Sequence, residues 1–279
     1  DRIEPSKTDR DVLDALGFVT LVEANPEAPA SKILASADRS NAPWLRRFIT
    51  QTWLPEESMH HVPYREYLIR SGAYEDSYID SEIGKVAERG FIHGEGYTEL
   101  QAATYGWLQE LITWRFYESM SDYLLWQGKK DEDPPDPVLV QILGDIAKQE
   151  NFHRYIYMSG VRAVLKHSPQ RKREVVEAAG EFLMPGHHMA PDWQPLAPTW
   201  GKKFGFSHKK LAYDISRGLV ELTGYNGLGQ GAFLYAIKNE VFWYFKAPTV
   251  LLAPFIQMYS SPVNYVAGKL LARVSKGWG

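Results

Sequence analysis

The chain has 279 residues, and its 31 Lys and Arg against 34 Asp and Glu give a formal charge of −3 at pH 7. The chain therefore lacks the surplus of basic residues that is typical of nucleic-acid-binding proteins, and this argues against that class. There are no cysteines, which excludes disulfides and thiolate ligands, so a metal ion can be bound only through His, Asp and Glu. The charged residues 1–10 do not resemble a signal peptide, and we therefore expect a cytoplasmic protein.

Apolar residues recur at helical spacing through most of the chain, and strand alternation is nearly absent, which predicts an all-α protein. Helices are predicted around 12–19 and over 44–70, 77–89, 98–126, 138–166, 170–183 and 208–222. Loops are predicted over 28–31, 129–137 and 184–198, with a glycine-rich turn over 224–231.

The C-terminal part of the chain is unusually apolar. Residues 247–268 carry no charge and are long enough to cross a bilayer, but Pro248, Pro254 and Pro262 interrupt them. We interpret the segment as short buried helices or an oligomer surface rather than as a membrane span. Residues 242–271 are too apolar to face water, and we expect them either to pack over the helical bundle as a cover or to complete its core.

Two histidines each follow a glutamate by three residues, in Glu57-Ser-Met-His60 and Glu150-Asn-Phe-His153. Residues three apart share one face of a helix. Apolar residues precede each motif at helical spacing, so both pairs lie on faces where an unpaired charge is costly. Glu56 and His61 point away from the first pair, and we interpret them as supporting or surface residues.

Two more glutamates, Glu23 and Glu118, follow apolar stripes of the same kind. The spacing from Glu23 to Glu57 is close to that from Glu118 to Glu150, so the chain contains two similar halves. Glu110 is the alternative on the same predicted helix, 98–126. The residues that precede it on its face are less apolar, and its distance from Glu150 in the sequence breaks the symmetry with the first half, so the pattern favours Glu118.

Two helices that each supply one Glu, with two that each supply Glu-x-x-His, form the ligand layout of di-iron and di-manganese carboxylate bundles. The predicted ligands are Glu23, Glu57, His60, Glu118, Glu150 and His153. The N–H of the other ring nitrogen of each histidine should donate a hydrogen bond to a nearby acceptor. The alternative is a set of helix-surface carboxylates and partly buried histidines joined in polar pairs. The predicted fold is a single ferritin-like domain, with a four-helix di-metal bundle over 1–170 and additional helices and the apolar tail over 171–279.

The sequence resembles the soluble acyl-carrier-protein desaturases at 53–60, 116–119, 142–153 and 184–189. The resemblance implies a homodimer that binds two Fe ions, or Mn in their place, and uses O₂ as oxidant. It also implies an acyl chain bound to acyl carrier protein as substrate and a ferredoxin-type reductant. Ser121, one turn after Glu118, would be the catalytic hydroxyl in place of the family's Thr. Gln149 departs from the family, which has Asp there on the expected electron route.

Gln149 and the apolar tail leave open another oxidation on the same scaffold, such as hydroxylation. Iron storage is a further alternative, which the length of the chain and its extra helices argue against. An acidic carrier protein would need a basic surface near the cavity, although a solvated helix face explains the same residues. The candidates are Arg46, Arg47, Arg65, Arg70, Lys202, Lys203, Lys209 and Lys210.

Overall fold

The computed structural model describes residue 3, residues 8–92 and residues 94–224. All regular elements in these ranges are helical, which confirms the predicted fold class. The helices are α1 (Arg10–Glu23), α2 (Glu27–Arg39), α3 (Pro43–Phe48), α4 (Leu54–Arg70), α5 (Asp76–Arg89), α6 (Glu99–Asp131), α7 (Pro137–His167), α8 (Lys172–Glu181), α9 (Pro185–Met189), α10 (Ala197–Lys203) and α11 (His208–Thr223). A π-helix (Ile49–Trp53) joins α3 to α4, and 3₁₀ turns occupy Pro169–Arg171 and Pro191–Leu196.

The chain divides into two compact units, Asp1–Gly160 with Leu183–Ser207, and Val161–Phe182 with His208–Gly279. In the described part of the second unit, α8 and α11 are in contact, and Arg162 pairs with Glu221. The first unit contains every predicted site residue. The predicted single domain, with its bundle core ending at residue 170, stays a prediction.

The core of the first unit is built from the apolar faces of α1, α4, α6 and α7, with contributions from α5 and α10. Leu16, Tyr64, Met120 and Leu143, one from each of the four main helices, are fully buried. Burying a side chain of this size contributes roughly 1.5–3 kcal/mol. The four helices and the carboxylate and histidine residues between them form a ferritin-like bundle.

Helix α6 is the longest helix described and carries part of the site. It begins with a capping box, in which Thr98 and Gln101 exchange side-chain-to-backbone hydrogen bonds of 3.0 and 3.3 Å. Farther along, Gly106 lies against the ring of Tyr157 on α7, where an added Cβ would come within 2.5 Å of the ring. The glycine therefore permits a close approach of α6 and α7 just before the site.

Three local predictions need correction. Residues 28–31 are not a loop but part of α2, because Pro29 occupies the first helical turn, where backbone N–H groups have no intrahelical partner. The predicted loop 184–198 contains α9, a 3₁₀ turn and the start of α10. The predicted helix 44–70 is interrupted by the π-helix, in which the N–H of Leu54 donates to the carbonyl of Ile49, five residues earlier.

No helix among the described residues is long and apolar enough to cross a membrane. The predictions for the glycine-rich turn after Gly224, and for residues 242–271 and 247–268, lie outside the described residues.

Candidate metal centre

Carboxylate and imidazole groups from four helices converge in the interior of the first unit. Glu23 is the last residue of α1, and α4 supplies Glu57 and His60. The remaining groups come from α6 and α7, which supply Glu110, Glu150 and His153. All six are buried, and the most exposed of them, Glu23, is only 9% exposed.

These side chains form two overlapping groups of possible metal ligands. The first consists of Glu23, Glu57, His60 and Glu150, and the second of Glu57, Glu110, Glu150 and His153. Within each group, one ligand atom per residue lies within 4.8 Å of all the others. Glu57 and Glu150 belong to both groups, and a carboxylate has two oxygens. Each can therefore serve two neighbouring ions at once.

The inner ring nitrogens of the two histidines face these carboxylates. His60 Nδ1 lies 3.2 Å from an oxygen of Glu150 and 3.5 Å from an oxygen of Glu57. His153 Nδ1 lies 2.9 Å from Glu57 Oε1 and 3.6 Å from Glu110 Oε2. The carboxylates of Glu57 and Glu150 thus lie on the same side of the bundle, as a shared metal centre requires.

The outer ring nitrogens each lie within hydrogen-bond distance of a side-chain oxygen, the arrangement expected of the two histidines. His60 Nε2 lies 2.8 Å from Gln149 Oε1, and His153 Nε2 lies 2.6 Å from Glu56 Oε2. A proton on Nε2 satisfies these acceptors, so Nδ1 is the nitrogen of each ring that faces the carboxylates and would bind a cation after losing its own proton.

The carboxylates are oriented by donors that the sequence analysis did not identify as part of the site. Trp53 Nε1–H donates to Glu110 Oε1 at 2.8 Å, and the hydroxyl of Thr113 donates to Glu150 Oε2 at 2.9 Å. The hydroxyl of Tyr117 donates to Glu23. Each of these bonds occupies one oxygen of a carboxylate, so the other oxygen is left facing inward.

Five inward-facing atoms of these glutamates and histidines have no hydrogen-bond partner of good geometry. They are Glu57 Oε1, His60 Nδ1, Glu110 Oε2, Glu150 Oε1 and His153 Nδ1. A buried polar atom without a partner costs about 1–3 kcal/mol, and more when it is charged. Since all five are oxygen or imidazole lone-pair donors around one centre, they fit divalent cations of the iron and manganese type.

Burial and mutual repulsion govern the protonation of the cluster when no cation is bound. Burial, with the nearby charges of Glu57 and Glu150, raises the pKa of both Glu23 and Glu110 well above the ordinary value. Burial would also lower the pKa of His153, but the carboxylates of Glu110 and Glu57 raise it to about 11. The metal-free cluster therefore holds protons that a cation would displace.

Glu23 carries an additional electrostatic cost. It is the last residue of α1, where the negative end of the helix dipole disfavours a carboxylate. A cation beside Glu23 would offset both this dipole and the neighbouring carboxylates.

Comparison with known families identifies the scaffold. A family model described as "Fatty acid desaturase" matches residues 28–202, well over half of the chain. The chain belongs to this fatty acid desaturase family. The matched range contains Glu57, His60, Glu110, Glu150 and His153, while Glu23 precedes it. No curated protein matches the sequence.

The structure places one predicted ligand outside the cluster. Glu118 is absent from both ligand groups; its side chain is 39% exposed and pairs with Arg115 at 2.7 Å. The glutamate that α6 contributes to the cluster is Glu110 instead. The inward face of α6 runs through Gly106, Glu110 and Tyr117, all of which are buried.

The expectation for Ser121 depended on Glu118 and fails with it. The hydroxyl one turn after Glu110 is that of Thr113, which donates to Glu150 within the cluster. The chain therefore has a threonine, not a serine, one turn after the α6 glutamate that lies in the cluster. Spacing could have indicated this position, because Glu110-x-x-Thr113 places two polar side chains on one helix face.

Proposed function

We propose that this chain is an O₂-dependent di-iron desaturase that introduces a double bond into a fatty acyl chain bound to acyl carrier protein. The observation that carries the proposal is the pair of overlapping ligand groups that share Glu57 and Glu150. Four carboxylates can neutralise two divalent ions, and two imidazoles complete the ligand set. Membership of the fatty acid desaturase family favours removal of hydrogen from an acyl chain as the reaction.

The proposed reaction balances only with an external reductant. Two hydrogen atoms leave adjacent carbons and O₂ becomes two waters, so two electrons and two protons must be supplied as well. A ferredoxin-type protein is the proposed electron donor. The two iron ions would supply O₂ binding and the one-electron redox steps that the protein side chains cannot perform.

The described residues support this chemistry by holding the ligands and excluding water. The cluster lies between Tyr64, Tyr117 and Tyr157, whose pKa values are raised by burial and by the neighbouring cluster carboxylates. Each of these phenols therefore stays protonated beside the carboxylates. Such a buried environment would restrict oxidation to a substrate carbon held near the ions.

The proposed binding of the carrier protein depends on fewer basic residues than the sequence indicates. Four of the eight candidates have acidic partners within the chain: Arg46 pairs with Asp38, Arg65 with Asp76 and Asp80, Arg70 with Glu66, and Lys203 with Asp9 and Asp11. Arg47 and Lys202 are exposed and carry no such pair among the described residues. These two are therefore the best candidates for contact with an acidic carrier protein. The homodimer and the cytoplasmic location also stay predictions.

A product assay tests the proposal directly. The purified chain is loaded with Fe²⁺ and supplied with acyl-carrier-protein substrates, a ferredoxin reducing system and O₂. Mass spectrometry should show an acyl product lighter by two hydrogens. Glu57→Gln, which removes a shared ligand, should abolish the product, whereas the surface control Glu118→Gln should retain it. Absence of an unsaturated product from the loaded wild-type protein would contradict the proposal.

Hydroxylation on the same scaffold is the second candidate. The observation that favours it is the neutral side-chain amide of Gln149, which lies next to His60 Nε2. The family that the sequence resembles has a carboxylate at this position. The same assay separates the two reactions, because hydroxylation would give a product heavier by one oxygen.

A further inference from the structure

The two histidines of the metal centre differ in the group that accepts their outer proton. His153 Nε2 is paired with the carboxylate of Glu56 at 2.6 Å. His60 Nε2 is paired with the side-chain amide of Gln149 at 2.8 Å. One acceptor therefore carries a negative charge and the other is neutral.

The two ligand groups have the same composition. Each contains one histidine and three carboxylates, and two of the carboxylates are shared. The unshared ones, Glu23 and Glu110, each accept one hydrogen bond from a buried aromatic side chain, Tyr117 or Trp53. The acceptor behind each histidine is the difference that acts on the histidines themselves; the end of the α1 dipole at Glu23 is a second difference between the two positions.

A carboxylate that accepts the outer proton of an imidazole raises the basicity of the inner nitrogen more than an amide does. A more basic nitrogen binds a divalent ion more tightly, and loss of such an outer partner commonly weakens metal binding 10–100-fold. Glu56 is 37% exposed, so solvent screens part of its charge, but its hydrogen bond to His153 is short and direct.

We propose that the two metal positions are unequal, and that the position of Glu57, Glu110, Glu150 and His153 fills first because Glu56 supports His153. The position that contains His60 is the weaker one because Gln149 supports it. Glu56 and Gln149 are accordingly positioning residues that set the order of metal loading. This inference rests on the metal centre of the proposed function.

The test titrates the metal-free full chain with Co²⁺ in a calorimeter. Wild-type protein should show two binding steps that differ about 10–100-fold in affinity. Glu56→Gln should weaken the tight step by a similar factor, so that the two steps merge. Gln149→Glu should strengthen the weak step and leave the tight step unchanged. Glu118→Gln, a matched surface change of charge, should leave both steps as they are in the wild type.

A second measurement assigns the binding steps to the two positions by locating the first ion directly. Crystals of wild-type protein grown with one equivalent of Co²⁺ should show anomalous density beside His153. The double variant Glu56→Gln/Gln149→Glu should move that density to His60. Density divided equally in the wild type, or located beside His60, would overturn the inference, as would an equal loss at both steps in Glu56→Gln.

These readouts are independent of turnover. A chain that loads Co²⁺ in the expected order but makes no unsaturated product supports the inference while contradicting the proposed function. A chain that desaturates its substrate but binds both ions with equal affinity supports the proposed function and contradicts the inference.

Discussion

Glu110 and Glu118 lie about two turns apart on the same helix, yet only Glu110 reaches the cluster. Glu110→Gln keeps an oxygen that can accept from Trp53 but removes a charged ligand. We therefore expect the variant to bind one Co²⁺ with at least about tenfold lower affinity and to lose desaturase activity. Metal analysis and calorimetry measure both effects.

Glu118→Gln is the matched control for this experiment, because it makes the same chemical change on the same helix. It should retain both metal equivalents and alter the free energy of unfolding by no more than about 0.5 kcal/mol, as expected for an exposed ion pair. Loss of metal from Glu118→Gln with normal binding by Glu110→Gln would contradict the arrangement described.

The protonation of the cluster predicts how the stability of the metal-free protein depends on pH. The pKa of His153 is raised from 6.5 to about 11, so its contribution is fully present below about pH 6.5 and is lost as the pH rises towards 11. The raised pKa values of Glu23 and Glu110 act in the same direction, because their charged forms are disfavoured in the fold. The metal-free protein should therefore lose stability above pH 6.5.

Thermal unfolding at several pH values checks this expectation. Between pH 6.5 and pH 9, the Tm of the metal-free protein should fall by about 5 °C or more, which corresponds to roughly 1–2 kcal/mol for a chain of this size. The metal-loaded protein should show a smaller change, since the cations have already displaced the protons. A rise in the Tm of the metal-free protein over this range would show that the sign is wrong.

At the scale of single residues, the sequence reveals the ligands that belong to a repeated motif and misses the one that does not. Both Glu-x-x-His pairs and Glu23 are recognisable because they follow stripes of large apolar residues. Glu110 is hidden because the residues before it on its face, Ala103 and Gly106, are small. Both residues are nevertheless buried, and Gly106 lies against Tyr157 of α7, so small residues here do not indicate exposure to solvent. The stripe through Glu118 includes Leu125, which is 42% exposed.

The packing of α6 on α7 leads to a prediction about helix stability. In Gly106→Ala, the new Cβ would lie 2.5 Å from the ring of the fully buried Tyr157, which cannot move away freely. We expect a net destabilisation of about 1–3 kcal/mol, because such overpacking outweighs the better helix propensity of alanine. The displaced α6 should also weaken metal binding through Glu110.

Gly144→Ala on α7 provides the control, since among the described residues nothing beyond its own stretch of helix lies within 4 Å of the added Cβ. This variant should stabilise the protein by about 0.5–1 kcal/mol through helix propensity alone. Thermal or denaturant unfolding compares the two variants with the wild type. Equal stability of Gly106→Ala and Gly144→Ala would show that the helices are not tightly packed at Gly106.

At the scale of elements, long helices are predictable and their interruptions are not. The periodicity over 44–70 continues smoothly through the π-helix, since one widened turn shifts the phase of the apolar stripe only slightly. The π-helix nevertheless ends at Trp53, which donates to Glu110, and it lies one turn before Glu57, which both ligand groups share. Proline is an equally ambiguous signal, because Pro29 begins a helix as readily as it ends one.

At the scale of the whole molecule, the sequence predicts the ferritin-like bundle because its ligand pattern is tied to that fold. It does not predict the division of the described residues into two units. Helical periodicity shows which face of a helix is apolar, but not which neighbour covers that face. The continuous helix α7 contributes residues to both units, so no break in the sequence marks the boundary.

The apolar tail leads to the last prediction. Residues 242–245 are all aromatic and 250–252 are all aliphatic, and burial of each such side chain contributes roughly 1.5–3 kcal/mol. All six cluster residues precede this segment in the chain, so a protein that ends at Glu240 should still bind two metal ions. If the tail closes one end of the acyl cavity, the shortened protein should accept longer acyl chains than the full chain does. Parallel assays with carrier-bound acyl groups of increasing length measure this preference, with metal content as the control for folding. A metal-loaded shortened protein with an unchanged preference would show that the tail has no part in substrate selection and only completes the core.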